Sequence, residues 1–164
     1  STVHRLLDGF EKQIPAKNKT GEVVYKKNGE PRMKRVWELP DDRENILYKA
    51  VHMAHPCTIW AAETVGNYQM AYRFLEALSN EYEYRYGKQH ETWLRLRNAV
   101  KRPPLNIEPS LNLTQIPLAM GANPECMNPD DPIESYRRFY ETKQHRFKMV
   151  WTKREVPDWF QFAA

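Results

Sequence analysis

The chain has 164 residues, of which 41% are hydrophobic and 12% aromatic, enough for one domain with a buried core. It contains no apolar run long enough to cross a membrane and no leader-like segment, which excludes a membrane protein and indicates a cytoplasmic one. Two cysteines and five histidines lack the spacing of a zinc site. We therefore expect a single domain over residues 1–164, with no metal and no cofactor; no oligomeric state is indicated.

The net charge of +4 is distributed unevenly along the chain. Residues 1–35 hold nine Lys/Arg against four Asp/Glu, whereas residues 36–164 hold sixteen against seventeen. A second basic stretch, residues 135–154, holds seven Lys/Arg against the single acid Glu141. Basic segments interleaved with aromatic residues can follow a phosphate backbone, although a solvated charged surface explains the charge alone equally well.

The first predicted elements are a helix end and a hairpin. Val3, Leu6 and Leu7 are in helical register with no capping sequence before them, so we expect that a native N-terminal segment is missing. Further on, Asn28-Gly29 separates two extended runs, residues 22–27 and 32–37, and supplies the positive φ angles of a tight turn. This pattern predicts a basic β-hairpin.

Three helices are predicted after the hairpin. The first is a long central helix from Pro56 to about Tyr86, where Gly87 ends it, and the second covers residues 91–101. Residues 103–130 carry seven Pro or Gly and predict a long loop.

The last helix is predicted to begin at the capping sequence Asp131-Pro132-Ile133-Glu134 and to reach about Val150. The predicted fold class is mainly α: a single helical domain with a long central helix, a C-terminal helix and one basic β-hairpin.

Polar residues fall on the predicted core faces of both long helices. At 100° per residue, Glu63 and Asn67 extend a stripe formed by Trp60, Ala71, Phe74, Leu75, Leu78 and Tyr82. On the last helix, Lys143 lies within the stripe of Ile133, Tyr136, Tyr140, Phe147 and Trp151. Burying such groups costs free energy unless they are paired or serve a function.

Glu63 and Lys143 could form a structural pair, or they could belong to a functional pocket. His55, next to Pro56, could cap the helix or titrate at the mouth of that pocket.

Four segments together resemble a small, uncharacterised family of bacteriophage proteins: HPCTIWAAETVGNY, YEYRYGKQH, DDPIESYRRFY and WTKREVPDWF. The resemblance covers about residues 45–160. Members of that family begin with an additional segment, and no position of this chain matches it. The order of elements is also similar, more distantly, to that of the phage pyrimidine-dimer DNA glycosylases. The amine nucleophile and the glutamate of those enzymes have no matching positions here, so the similarity concerns architecture alone.

Three functions are compatible with these features. The first is a phage-type DNA-acting enzyme, a DNA glycosylase/lyase or a nucleobase-modifying enzyme. A desolvated Lys143 would be its nucleophile, Glu63 its general acid or base, Asn67 would orient the substrate, and His55 would complete the catalytic set. Trp60, Tyr68 and Tyr140 would stack on an extruded base. The second is a non-catalytic nucleic-acid-binding module, and the third is a small-molecule enzyme of nucleotide metabolism. For both DNA-dependent functions the predicted DNA-binding residues are Lys26, Lys27, Lys34, Arg35, Trp60, Tyr68, Lys88, Arg137, Tyr140 and Lys153.

Overall fold

The computed structural model describes residues 1–163, which contain six α-helices and a two-stranded antiparallel sheet. In chain order the elements are α1 Thr2–Asp8, β1 Phe10–Pro15, β2 Met33–Glu38, α2 Arg43–Ile46, α3 Pro56–Glu63, α4 Val65–Tyr86, α5 Glu91–Leu96 and α6 Pro132–Glu141. Short 3-10 turns lie at Pro124–Cys126, before α6, and at Thr142–His145, directly after it. Over residues 1–163, none of the helices has both the length and the apolar character needed to cross a bilayer.

The predicted mainly α fold class is wrong. The chain is 39% helical and 10% strand, which makes it a small mixed α/β protein. The helical content is lower than predicted, because residues 97–131 contain only one 3-10 turn and residues 146–163 form no regular element. The first of these stretches includes the proline-rich segment 103–130, whose prediction as a long loop is confirmed.

The hairpin is present, and its second strand is close to the predicted one, residues 32–37, but its first strand is residues 10–15 instead of 22–27. β1 pairs with β2 over six residue pairs, from Phe10 opposite Glu38 to Pro15 opposite Met33. The Asn28-Gly29 turn forms as predicted, with Gly29 at φ +83°, but it lies at the tip of the arm. Residues 22–27 make isolated bridges only, because they lie between this turn and a second turn at residues 18–21. In that turn the Asn18 side chain accepts hydrogen bonds from the backbone N–H groups of Thr20 and Glu22.

The predicted central helix is two helices. Thr64 has extended backbone angles, φ −141° and ψ 158°, and separates α3 from α4. Its hydroxyl accepts a hydrogen bond from the Asn67 backbone N–H at 3.1 Å, which caps α4. α4 then ends at Gly87, which adopts the left-handed conformation expected of a helix-ending glycine.

The buried face of α4 differs from the predicted one. Phe74 and Leu78, predicted to lie in the core, are 58% and 69% exposed, so that prediction is wrong. The stripe that faces the protein instead contains Tyr68, Tyr72, Leu75 and Ser79. It is rotated by roughly 90° from the predicted stripe, because the buried core cluster packs against Tyr72 and Leu75.

The core cluster lies under this stripe. Leu39, Leu47, Leu96 and Val100 are buried together, and Tyr72 and Leu75 of α4 pack against them. α5 begins at Glu91 as predicted but ends at Leu96, before the predicted Lys101. The core therefore joins α4 and α5 to the segments that flank α2.

The last helix begins as predicted and ends early. Asp131 accepts a hydrogen bond from the Glu134 backbone N–H at 2.9 Å, and Pro132 occupies the first turn. α6 stops at Glu141 instead of Val150 and continues only as the 3-10 turn. There the Thr142 hydroxyl donates to the Phe139 carbonyl at 2.8 Å, the kind of local bond by which threonine competes with helix propagation.

Candidate nucleic-acid interface

Residues 10–38 form an extended arm, which we call the basic arm. They contain eight Lys/Arg against four Asp/Glu, an excess equal to the net charge of the whole chain. Most of their side chains are exposed, whereas Trp37 and Glu38 at the base are partly buried. The ladder alone extends for about 20 Å, since each strand residue rises about 3.3 Å.

The predicted DNA-binding residues Lys26, Lys27, Lys34 and Arg35 all lie on this arm. Lys26 pairs with Glu30 at 3.1 Å, and Arg35 lies 3.7 Å from Glu11 and over the Trp37 ring. Five other basic residues of the arm form no ion pair with any carboxylate of residues 1–163: Lys17, Lys19, Lys27, Arg32 and Lys34. Exposed cations without internal partners are available to an external anion.

The base of the arm is fixed by Arg5 of α1, whose side chain is completely buried. Its guanidinium donates to the carbonyls of Trp37 at 2.9 Å, Leu47 at 2.9 Å and Tyr48 at 2.8 Å, and it pairs with Glu44. Glu44 also accepts from the Leu39 backbone N–H and from Lys49. Burial alone would raise the pKa of Glu44, but these donors lower it to about 2. The Arg5–Glu44 pair therefore joins α1, β2 and α2.

A second polar group of α1 is His4, which is 1% exposed. Arg43 donates to its Nδ1 at 3.0 Å, so Nε2 carries the proton and donates to the Tyr68 hydroxyl at 2.7 Å. Tyr68 in turn donates to the Val100 carbonyl at 2.8 Å. Burial lowers the pKa of His4 to about 4, and the Arg43 charge acts in the same direction. Tyr68, predicted to stack on a base, is thus a buried member of this network.

Asp8 completes the α1 cluster and holds the start of the proline-rich loop. It pairs with Arg43 at 2.6 Å and accepts from the backbone N–H groups of Leu105 and Asn106, both at 3.0 Å. Burial tends to raise the pKa of Asp8, but the bond from Arg43 and these two amides bring it below its usual value.

Glu63 and Asn67 hold a later part of the same loop. Asn67 is fully buried, and its amide donates to the Trp60 carbonyl at 2.9 Å and the Thr114 hydroxyl at 2.7 Å. It accepts from the Thr114 backbone N–H at 2.9 Å. The Thr114 hydroxyl donates to Glu63 at 2.6 Å, and Glu63 is exposed, so the expectation that Glu63 is buried is wrong.

The backbone also approaches closely at this point. A Cβ on Gly66 would lie 2.4 Å from the Leu111 carbonyl oxygen, so only glycine fits. The backbone N–H groups of Val65 and Gly66 donate to the carbonyls of Glu108 at 2.9 Å and Ser110 at 3.0 Å. Together with the bonds of Glu63 and Asn67 with Thr114, these contacts anchor residues 108–114 to the start of α4.

The structure does not bring Lys143 to Glu63. In the described residues the two form no ion pair, and the Lys143 ammonium lies 3.7 Å from the centre of the Phe139 ring. His55 caps α3, where its Nδ1 accepts from the Cys57 backbone N–H at 3.2 Å. The catalytic roles of Glu63, Asn67, Lys143 and His55 stay a prediction.

α6 and the α3–α4 pair enclose a cavity of about 610 Å³, which we call the aromatic cavity. Of the described residues that line it, Arg137 is the only charged one. The rings in its wall are Trp60, Phe74, Tyr136, Tyr140 and Trp159. The predicted binding residues Trp60, Arg137 and Tyr140 thus meet at one site. Two further predicted DNA-binding residues, Lys88 and Lys153, do not line this cavity. Lys88 is exposed after Gly87, and Lys153 donates to the Tyr84 carbonyl.

Sequence reasoning did not assign Trp159, Phe74 or Tyr136 to a site. Trp159 lies in a segment without regular structure, so no periodicity could relate it to α6. The α1 cluster was missed as well, although His4 and Asp8 have the i, i+4 spacing of neighbours on one helix face. No three His, Cys, Asp or Glu side chains in residues 1–163 are grouped as metal ligands.

Comparison of this chain with protein-family models, curated proteins and solved structures finds no match.

Proposed function

We propose that this is a DNA-binding protein whose basic arm contacts the phosphate backbone. The observation that carries the proposal is the arm itself, which holds the whole charge excess of the chain on a two-stranded ribbon. A two-stranded ribbon fits the major groove of B-DNA, and clustered Lys and Arg supply phosphate contacts. Anchoring by Arg5 at the base would hold the arm in place as it binds.

The enzymatic form of this proposal is a phage-type DNA glycosylase/lyase or nucleobase-modifying enzyme. It requires a nucleophile and a general acid or base at one site. The contacts of Glu63 are with Thr114 and Asn67, and those of Lys143 are with Phe139, so the geometry favours the binding function over this chemistry. An enzyme acting on small nucleotides is the alternative if DNA is not bound.

The test is the salt dependence of DNA affinity. If three to four arm residues contact phosphates, the affinity for duplex DNA should fall roughly tenfold for each doubling of salt. Replacing Lys26, Lys27, Lys34 and Arg35 by alanine should weaken binding at low salt and flatten this dependence. Their ion pairs are exposed, so the variant should retain its stability.

A matched control removes the same charge from elsewhere: Arg73, Arg97, Lys101 and Arg102 are exposed basic residues outside the arm. Alanine at these four positions should leave the salt dependence unchanged. An equal loss in the control would show that net charge, rather than the arm, governs binding. No retention of DNA by the unmodified protein at low salt would contradict the proposal and favour the small-nucleotide enzyme.

A further inference from the structure

We propose that the aromatic cavity receives one unstacked base of a DNA strand. This inference rests on the proposed DNA-binding function and adds a site that is distinct from the basic arm. The cavity volume of about 610 Å³ lies within the range of small-ligand sites and exceeds the needs of a single base.

The walls of the cavity are suited to a flat ring. Tyr136 is held in place by its hydroxyl, which donates to the Pro117 carbonyl at 2.8 Å and accepts from the Ala119 N–H at 3.3 Å. The Tyr140 ring lies 6.4 Å from the Tyr136 ring and is 51% exposed. Trp60 is buried, with its indole N–H donating to the Thr114 carbonyl. Fixed and exposed rings together form a stacking platform that every base can use.

Three large apolar side chains that line the cavity remain in contact with solvent. Phe74 is 58% exposed, Ile133 63% and Tyr140 51%. A single exposed apolar residue is ordinary, but several around one cavity are typical of a binding site.

The charges around the cavity suit a ligand that carries phosphate. Arg137 lies at the cavity over the Trp159 ring, 5.8 Å from its centre. Tyr140 and Trp159 also line a neighbouring groove that contains Lys143 and Lys148. Residues 142–148 contain three Lys/Arg and no Asp/Glu. A strand could therefore place a base among the rings and its flanking phosphates beside these cations, which favours a base in a strand over an uncharged planar ligand.

The experiment compares a short oligothymidine strand with the same strand made of abasic sugars, at one salt concentration. The thymidine strand should bind more tightly, and Tyr140→Ala or Trp159→Ala should reduce its affinity by about 5- to 150-fold, the effect of losing one stacking ring. The affinity for the abasic strand should not change. Tyr140→Phe keeps the ring and should bind like the unmodified protein.

Tyr86→Ala is the matched control, because Tyr86 is 56% exposed and does not line the cavity. It should leave both affinities unchanged, and thermal melts of all variants should show that they are folded. Equal affinity for the two strands, or an equal loss of both in Tyr140→Ala, would overturn the proposal. The free nucleotide thymidine monophosphate is tested in the same way. If it binds as tightly as the strand and loses the same affinity in Tyr140→Ala, the ligand of the cavity is a free nucleotide and not a base within a DNA strand.

The arm variants separate this inference from the proposed function. They should weaken the binding of thymidine and abasic strands by the same factor, because they remove phosphate contacts. If the arm variants bind DNA like the unmodified protein while the thymidine strand is still preferred, the arm proposal is contradicted and the cavity proposal is supported. If the arm variants bind more weakly but the two strands bind equally, the arm proposal is supported and the cavity proposal is contradicted.

Discussion

Arg5 and the lysines of the basic arm carry the same charge in opposite surroundings. Arg5 is completely buried, and its guanidinium is bonded to a carboxylate and several carbonyl groups. Lys27 and Lys34 are exposed, and no carboxylate within residues 1–163 pairs with them. All three belong to the basic first 35 residues, so a count of charge treats them alike. Their partners distinguish a structural cation from one that is available to a ligand.

The two regions are nevertheless connected. Arg5 donates to the Trp37 carbonyl at the base of the arm, and its partner Glu44 accepts from the Leu39 N–H just beyond β2. The buried cluster of α1 therefore fixes the position from which the arm extends. Changes in the cluster should affect the stability of the fold, whereas changes along the arm should affect binding.

The largest effect is expected for Arg5→Met. The substitution removes one partner of a buried ion pair and leaves the carbonyls of Trp37, Leu47 and Tyr48 without their donor. Such a loss should reduce the free energy of unfolding by about 3–5 kcal/mol. Urea unfolding followed by circular dichroism measures it. Arg138→Met is the control, because Arg138 is half exposed in its pair with Glu134 and should cost less than about 1 kcal/mol. A loss at Arg5 no larger than that of the control would contradict the structural role of the cluster.

A smaller effect is expected from pH, through His4. Its pKa is about 4 in the folded protein and near its usual value of about 6.5 in the unfolded chain, so the unfolded state binds the extra proton between these values. The contribution of His4 should therefore be present above about pH 6.5 and fall as the pH decreases, by about 2 kcal/mol from pH 7 to pH 5. The buried amine of Ser1, whose pKa burial lowers to about 6, should add a slope of the same sign.

Replacing His4 by glutamine should remove the His4 part of this slope and leave the part from the Ser1 amine, and urea unfolding at several pH values measures both. His145→Gln, at an exposed histidine, should keep the slope. The measurement is confined to pH values above about 5, because the carboxylates of Asp8 and Glu44 begin to bind protons in the unfolded chain below that. An undiminished slope in His4→Gln would assign the whole effect to another group.

Local signals in the sequence predicted several element boundaries, although the C-terminal ends of α5 and α6 were predicted too late. Asp131 and Pro132 start α6, Gly87 ends α4, and Asn28-Gly29 forms a turn, because each depends on the chemistry of one or two residues. Residues 103–130 were recognised as a loop for the same reason. Registers that extend over many residues were not predictable. The core packs against Tyr72 and Leu75 of α4 instead of Phe74 and Leu78, and the partners of the Met33–Glu38 strand lie 18 to 28 residues away.

The candidate site divides in the same way. The four predicted arm residues lie together because charge is visible along the chain. Trp60, Arg137 and Tyr140 meet in the cavity, but the ring of Trp159 comes from a segment without periodicity. The prediction that Glu63 and Lys143 meet assumed two continuous helices. The chain leaves the helical conformation at Thr64, and α6 ends before Lys143. Glu63 contacts Thr114, whereas Lys143 contacts Phe139.

The smallest expected effect is the coupling between Glu63 and Lys143. Because Glu63 bonds to Thr114 and Lys143 lies over Phe139, the variants Glu63→Gln and Lys143→Met should change stability independently. The double variant should equal the sum of the single variants within about 0.5 kcal/mol. Thermal or urea unfolding of the three variants measures this coupling. Recovery of more than about 1 kcal/mol in the double variant would show that the two residues pair after all. A base-release assay on DNA with the same proteins tests the catalytic prediction, since loss of base release in both stable single variants would support one active site that contains Glu63 and Lys143.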